Sequence, residues 1–191
     1  SIGRACECVE MKIGDNQEIL IRGPAVFKEY YQRPDATAES FTDGWFHTGD
    51  MGTVTKDGVY QIIGRLKEQF KTGKGKYVVP AVIETLLSHS KNIEQVCVMG
   101  QGRKQPIAVI VLSQPNATQS ANMTEKLNKI LFRVNSRLEN HQKLDHLIVL
   151  KEEWTINNGL LTPTMKIKRN EIEKKYSHYL ELELSENVIW E

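Results

Sequence analysis

The sequence predicts an α+β chain in two parts, on three observations. Residues 1–64 carry short β-favouring runs broken by turn signals. Residues 68–191 alternate apolar runs with helical stripes. A lysine- and glycine-rich segment, 64–76, joins the two. The length of 191 residues suits one medium domain or two small ones and suffices to bury a core without disulfides. With 40% hydrophobic and 26% charged residues, the composition is that of a globular chain and not of a disordered, collagenous or coiled-coil one. No window approaches the roughly 18 consecutive apolar residues of a spanning helix. The chain opens on Ser1 with no initiator Met or signal peptide, so it is expected to be a piece of something longer.

Each element has a local reason. Residues 17–23, Gln-Glu-Ile-Leu-Ile-Arg-Gly, read as a strand stopped by Gly23-Pro24. Residues 33–44 are polar and turn-rich, with Pro34 and an Asp43-Gly44 turn signal. Residues 51–55 and 59–63 flank Lys56-Asp57-Gly58, a strong hairpin signal. Pro80 suits the first turn of a helix whose apolar stripe is Val82, Ile83, Leu86 and Leu87. Gln95–Met99 and Ile107–Leu112 are apolar, β-branched runs and read as strands, and 113–122 reads as a polar loop. Residues 123–140 put Leu127, Ile130, Leu131, Val134 and Leu138 on one helical face. His146–Leu150 reads as a strand, Asn157-Asn158-Gly159 as a turn, and Asn170 as the cap of a last helix over 171–180. There is no internal repeat.

Charge is balanced overall, 25 Lys plus Arg against 24 Asp plus Glu, which argues against a globally basic nucleic-acid binder. It is not evenly spread. Residues 64–76 (Arg65, Lys67, Lys71, Lys74 and Lys76 against Glu68) carry +4. Residues 162–178 (Lys166, Lys168, Arg169, Lys174 and Lys175 against Glu171 and Glu173) carry +3, which leaves −6 elsewhere. Two basic clusters on an otherwise acidic chain suit anion sites, although such runs are also what a solvated face looks like. Neither cluster interleaves exposed aromatics for base stacking, and Trp45, Phe46 and Tyr77 are expected in the core. Cys6, Cys8 and Cys97 are too few for a disulfide framework or a four-ligand zinc site, and they read as incidental thiols of a reduced, cytoplasmic chain. His89, His141, His146 and His178 have no metal-ligand spacing, so no metal site is expected.

Three stretches share one explanation: Gly44-Trp45-Phe46-His47-Thr48-Gly49-Asp50; Gly64-Arg65-Leu66-Lys67-Glu68 continuing to Gly75-Lys76-Tyr77-Val78-Val79-Pro80 and Ile83-Glu84; and Leu161-Thr162-Pro163-Thr164-Met165-Lys166-Ile167-Lys168-Arg169. In this order and spacing they resemble the C-terminal third of adenylate-forming enzymes, the superfamily of acyl-CoA synthetases, peptide-synthetase adenylation domains and firefly luciferase. The resemblance runs from about residue 1 to about residue 180. Gly-Lys-Tyr-Val-Val-Pro and Leu-Thr-Pro-Thr-Met-Lys-Ile-Lys-Arg look most like long-chain fatty acyl-CoA synthetases; peptide-synthetase domains usually have Asn-Gly-Lys where this chain has Thr164-Met165-Lys166.

The resemblance implies a layout and a chemistry. Residues 1–64 correspond to the β end of a large N-terminal domain, 65–67 to a hinge, and 68–191 to a mobile α+β lid. Such enzymes form an acyl-adenylate from a carboxylic acid and ATP, then a thioester with CoA. Asp50 matches the aspartate that accepts from the ribose hydroxyls, work suited to an acceptor-only group with several lone pairs. Arg65 matches a nucleotide-side arginine. Lys166 matches the adenylation lysine: the attacking carboxylate is already ionised, so a cation rather than a base is the useful group. Extended backbone would turn Lys168 to the same side as Lys166 and Arg169 to the other; only the resemblance selects Lys166. Lys67 matches the hinge residue. Gly75, with Lys74 and Lys76, falls on the CoA path. His47 stands at a variable place in its motif and reads as a bystander.

Two features depart from the family pattern: Gly73-Lys74-Gly75 stands where two adjacent glycines are common, and Glu68 where aspartate is. The phosphate-cradling loop, the stretch supporting adenine and Mg2+, and the fatty-acid pocket are missing, so they are expected on a large N-terminal domain and this piece is expected to be inactive alone. The substrates implied are fatty acid, ATP and CoA, with no nucleic acid and with peripheral membrane contact left open. A ligase that loads a carrier protein, or a non-catalytic binding module that keeps the fold, are the competing readings.

Overall fold

Glu18–Arg22 (β2) is the pivot of the first half. It pairs antiparallel with Glu10–Ile13 (β1) on one side and with the long strand Trp45–Val54 on the other. The structure, a computed structural model, describes residues 1–114, 119–182 and 186–191. It divides into two units, Ser1–Gln69 and Phe70–Glu191.

In the first unit, β2 leads through Gly23 to a helix, Pro34–Ser40 (α1), then to Phe41–Thr42 (β3), Trp45–Val54 (β4) and Tyr60–Arg65 (β5). Both β3 and β5 pair antiparallel with β4, β3 near its start and β5 near its end. Gly23 has φ +146°, and a Cβ there would lie 2.3 Å from the Cys8 carbonyl oxygen, so only glycine lets the chain leave β2 in this way. The Asp57-Gly58 turn joins β4 to β5 as expected, with Gly58 at φ +75°. The expected all-β character of residues 1–64, and the irregular structure expected over 34–40, are corrected by α1, while the Asp43-Gly44 turn is present and joins β3 to β4. Pro34 starts it at the first helical position, and the Thr37 hydroxyl donates to the Arg33 carbonyl.

In the second unit, Phe70–Lys71 (β6) and Tyr77–Val78 (β7) form a small hairpin, followed by Pro80–Ser88 (α2). Ile93–Met99 (β8), Ile107–Leu112 (β9), Leu147–Leu150 (β10) and Val188–Trp190 (β11) make one sheet. Its order is β11-β10-β9-β8, with β8 antiparallel to β9 and the other pairs parallel. The strict period of two in these strands sorts the side chains. Val96, Val98, Ala108, Ile110, Leu147 and Val149 join a core with α2 and with the helix Ala121–Asn135 (α3). Cys97, Met99, Ile107, Val109, Ile148 and Leu150 join a second core with Trp154, Leu160, Leu161 and the helix Arg169–Lys175 (α4), which continues as a 3-10 turn, Ser177–Leu180. The sheet is covered on both faces, which is why its strands are apolar throughout.

Two boundaries differ from expectation. α3 begins earlier, capped by the Ser120 hydroxyl accepting from the Met123 amide. It stops at Asn135, whose side-chain amide exchanges two hydrogen bonds with the Leu144 backbone. α4 takes Asn170 into its first turn, because the Lys168 carbonyl accepts from the Glu171 and Ile172 amides and starts the helix at Arg169, two residues ahead of the expected start at 171. Of the expected loop 113–122, residues 115–118 lie outside the described residues.

Candidate functional site

The first unit carries a polar constellation built on a bulge. On β4, Leu20 of β2 faces His47 and Glu18 faces Met51, so Thr48, Gly49 and Asp50 together lie opposite Ile19 alone. Gly49 absorbs the excess at φ +69°. Side chains hold the displaced backbone. The Thr48 hydroxyl donates to the Ile19 carbonyl at 2.6 Å and accepts from the Asp50 amide at 3.1 Å. The Gly49 amide donates to Glu18 Oε1 at 2.8 Å. Asp50 is thereby set opposite Arg65 of β5, and Arg65 Nε lies 2.8 Å from Asp50 Oδ1. The aspartate side chain is about a quarter exposed and the arginine more than half. A carboxylate fixed beside a directed cation suits a ligand that offers hydroxyls next to negative charge.

A cavity of about 530 Å³ opens at this point, lined among others by Glu18, His47, Gly49, Arg65, Lys67 and Glu68. Lys67 is exposed, on a one-turn 3-10 segment Leu66–Glu68. His47, read from the sequence as a bystander, is part of the site: its Nδ1 lies 2.8 Å from Glu18 Oε2 and its Nε2 lies 3.2 Å from the Thr42 hydroxyl. Glu18 is the residue that sequence reasoning missed. It is 7% exposed and is the one carboxylate among the buried polar groups of the described residues. An acid leading directly into an apolar strand run was the available signal.

In the second unit, Lys166 sits on a tight turn. Leu161 and Ile167 bridge its two arms, and Met165 takes φ +62°. The Thr162 amide donates to the Lys166 carbonyl at 2.7 Å, and the Lys166 amide donates to the Thr162 hydroxyl at 3.0 Å. The backbone of Lys166 is thus pinned on both sides, while its side chain is exposed and makes no ion pair among the described residues. Lys168 is also exposed. Arg169 instead turns inward: Nη2 donates to both oxygens of Glu84 at 2.7 and 2.9 Å, and Nη1 to the Val98 carbonyl at 3.0 Å. Glu84 Oε1 also accepts from the Val98 amide at 2.8 Å. Both partners are nearly buried, so the turn stands on a bidentate, largely buried ion pair.

The glycine loop closes the β6–β7 hairpin. Gly75 has φ +77° and its amide donates to the Thr72 carbonyl, while a Cβ on Gly73 would lie 2.6 Å from the Gly102 carbonyl oxygen. Gly73 is therefore required by close packing and Gly75 favoured by its positive φ, before any ligand is considered. Lys74 and Lys76 are exposed on this loop. Tyr77 corrects the expectation of a core aromatic. It is 60% exposed, with Lys71 Nζ 5.5 Å from its ring centre, because its neighbour Val78 takes the inward face of the short strand. Phe46 packs with Phe27 and Phe41, and Trp45 lies under Lys12 and Arg22; both are partly buried. Among the described residues no group of His, Cys, Asp and Glu could hold a metal, and no helix is long and apolar enough to cross a membrane.

This pairing of a β unit with an α+β unit is found in solved adenylate-forming enzymes. The adenylation domain of the carboxylate reductase from Mycobacterium chelonae matches with a TM-score of 0.78 at 23% identity, covering 94% of this chain and 32% of that one. The fatty acyl CoA synthetase of Mycobacterium tuberculosis matches with a TM-score of 0.56 at 26% identity, covering 93% and 35%. In sequence, residues 68–183 match the AMP-binding enzyme C-terminal domain, and the chain belongs to that family of adenylate-forming ligases. Among curated relatives, the long-chain-fatty-acid–CoA ligase FadD15 of Mycobacterium tuberculosis is 31% identical over 200 residues, which is 95% of this chain and 33% of that protein. Fatty acyl-CoA synthetase B of Dictyostelium discoideum is 32% identical over 178 residues, which is 83% and 26%. The chain therefore spans about a third or less of these relatives' length.

Proposed function

We propose that this chain is the C-terminal part of an ATP-dependent long-chain fatty acid–CoA ligase, supplying the adenylation lysine and the hinge on which the lid turns. The observation that carries the reading is Lys166: a free ammonium on a turn whose backbone is held at both ends. The names of the relatives near 30% identity support the substrate class.

In the first step a carboxylate oxygen of the acid attacks the α-phosphorus of ATP. A carbon–oxygen–phosphorus link forms, the bond to the bridging oxygen breaks, and pyrophosphate leaves. No proton moves, and Lys166 stabilises the negative charge gathered between acid and phosphate. Asp50 accepts from the ribose hydroxyls and Arg65 holds Asp50 in place while adding positive charge on the nucleotide side. In the second step the CoA sulfur attacks the acyl carbon, the bond to AMP oxygen breaks, and the thiol proton passes to solvent. Lys67 serves as the pivot between the two poses, and the loop of Lys74, Gly75 and Lys76 lines the path of CoA. Mg2+, if bound with ATP, would neutralise phosphate charge. The described residues offer no ligand cluster for it, so we assign it, with the triphosphate cradle and acyl pocket, to a large N-terminal domain. The 191-residue piece is then inactive by itself. A cytoplasmic setting belongs to the same proposal, supported by Cys6 and Cys8, which are exposed and form no disulfide among the described residues.

ATP–pyrophosphate exchange with a panel of fatty acids tests this, using the chain alone and the chain joined to its large domain. Exchange is expected only in the joined protein and should fall about 10²–10³-fold in Lys166→Ala. The melting temperature should not change, since the side chain is exposed and makes no ion pair among the described residues. Undiminished exchange in Lys166→Ala would remove the lysine from the chemistry. Acyl transfer to a carrier protein but not to CoA would replace the proposed acceptor.

A further inference from the structure

Glu18 is an expensive residue to keep where it is. Its carboxylate is buried at the start of β2, next to the apolar run Ile19-Leu20-Ile21, and burying a charged group without partners is strongly unfavourable. Its two oxygens are nevertheless used separately. Oε1 receives the Gly49 amide at 2.8 Å, and Oε2 meets His47 Nδ1 at 2.8 Å. A neutral imidazole with its proton on Nδ1 satisfies both of its contacts, donating to Glu18 and accepting from the Thr42 hydroxyl through Nε2. The Gly49 amide faces Glu18 only because the bulge has broken the regular ladder between β2 and β4. Without the carboxylate, that amide would have no strand partner.

We propose that Glu18, itself held by His47, is a positioning residue: it clamps the Gly49 bulge and thereby sets the aim of the Asp50 carboxylate toward Arg65 and the nucleotide. Gly49 immediately precedes Asp50, and at φ +69° it is the joint at which the direction of β4 is decided. Thr48 braces the other side of the same joint through the Ile19 carbonyl and the Asp50 amide. Bulges of this kind beside a site re-aim a side chain, and this one needs an external acceptor to hold its shape. In this role Glu18 acts through Asp50, although it also borders the cavity. The inference rests on the ribose-binding role proposed for Asp50.

Two measurements test it. The first is amide hydrogen exchange in the 191-residue chain, which reads the clamp without any nucleotide. Glu18→Ala should speed exchange at Gly49 by at least about tenfold. Glu18→Gln, which keeps an acceptor oxygen in place, should restore protection, and the β1–β2 amides should stay protected in both variants. Unchanged exchange at Gly49 in Glu18→Ala would overturn the clamp. The second is a double-mutant cycle on the KM for ATP in the ligase carrying its large domain. Asp50→Ala and Glu18→Ala should each raise KM about tenfold, and the double variant no further, because the second change removes nothing that is still in use. Glu18→Gln should remain near the original value. Multiplying effects in the double variant would show Glu18 acting independently of Asp50 and would overturn the inference while leaving the role of Asp50 intact. A silent Asp50→Ala would instead remove the ribose role, and the positioning claim with it.

Discussion

The two units solve the folding problem by different means. The second unit sandwiches a four-stranded sheet between two apolar cores, and nearly every residue of β8, β9 and β10 is buried. In the first unit the buried apolar side chains among the described residues are Ile19, Leu20, Met51 and Tyr60. Its shape at the site is kept instead by directed bonds: Glu18 to Gly49, Thr48 to Ile19 and Asp50 to Arg65. Non-directional burial gives stability, whereas directed polar bonds fix orientation, and the site residues of the first unit need the latter. Lys166 draws on both, since its turn hangs from the second core through Leu161 but is shaped by the Thr162 hydroxyl.

The comparison can be broken at its strongest point. Trp154→Ala, at 1% exposure, should cost the second unit about 3–5 kcal/mol and leave amide protection in β1 and β2 of the first unit unchanged. Denaturant unfolding followed by residue-resolved exchange reads both. Equal loss in the two units would mean that their stabilities are not separate. Gly23→Ala addresses the other side. It forces φ +146° on a residue with a Cβ that lies 2.3 Å from backbone oxygen, and should cost the first unit about 1–3 kcal/mol. Retained protection at Ile21 and Met11 would show that the β1–β2 connection yields more easily than the geometry implies.

A gentler probe is alkali. Burial raises the Tyr176 hydroxyl above its ordinary value of 10.0, and burial likewise raises Tyr179. The folded second unit therefore holds protons that its unfolded form has released. Its stability is complete below about pH 10 and declines as pH rises beyond it. Monitored by near-ultraviolet circular dichroism, Tyr176→Phe should flatten that decline, and the same slope in both proteins would clear Tyr176 of responsibility.

The continuous apolar runs of β8–β10 and the periodic stripe of α3 were legible because each pattern is spread over several residues. The helix α1 was not, because Pro-Asp-Ala-Thr-Ala-Glu-Ser has no apolar stripe and its start is fixed by one proline. The second basic cluster divided in a way its sequence only partly foretold. Lys166 and Lys168 face solvent, while Arg169 is consumed by Glu84, a partner 85 positions away. Asp50 and Arg65 could be singled out from their motifs, but their pairing across β4 and β5 follows from the hairpin register. Glu18 escaped because polar strand residues ordinarily face water. Its partners, the Gly49 amide freed by the bulge and His47 Nδ1, lie some thirty positions along the chain and meet it only in three dimensions.

The bidentate contact between Arg169 and Glu84 also limits how this lysine turn can be traded between proteins. A transplanted stretch of residues 160–169 would reach its new host with a guanidinium that has nowhere to go. The smallest exchangeable cassette therefore includes α2, for its glutamate, and β8, for the Val98 carbonyl. Recombination breakpoints placed between α2 and the turn would separate a matched pair, whereas breakpoints ahead of Phe70 would carry the whole arrangement across intact.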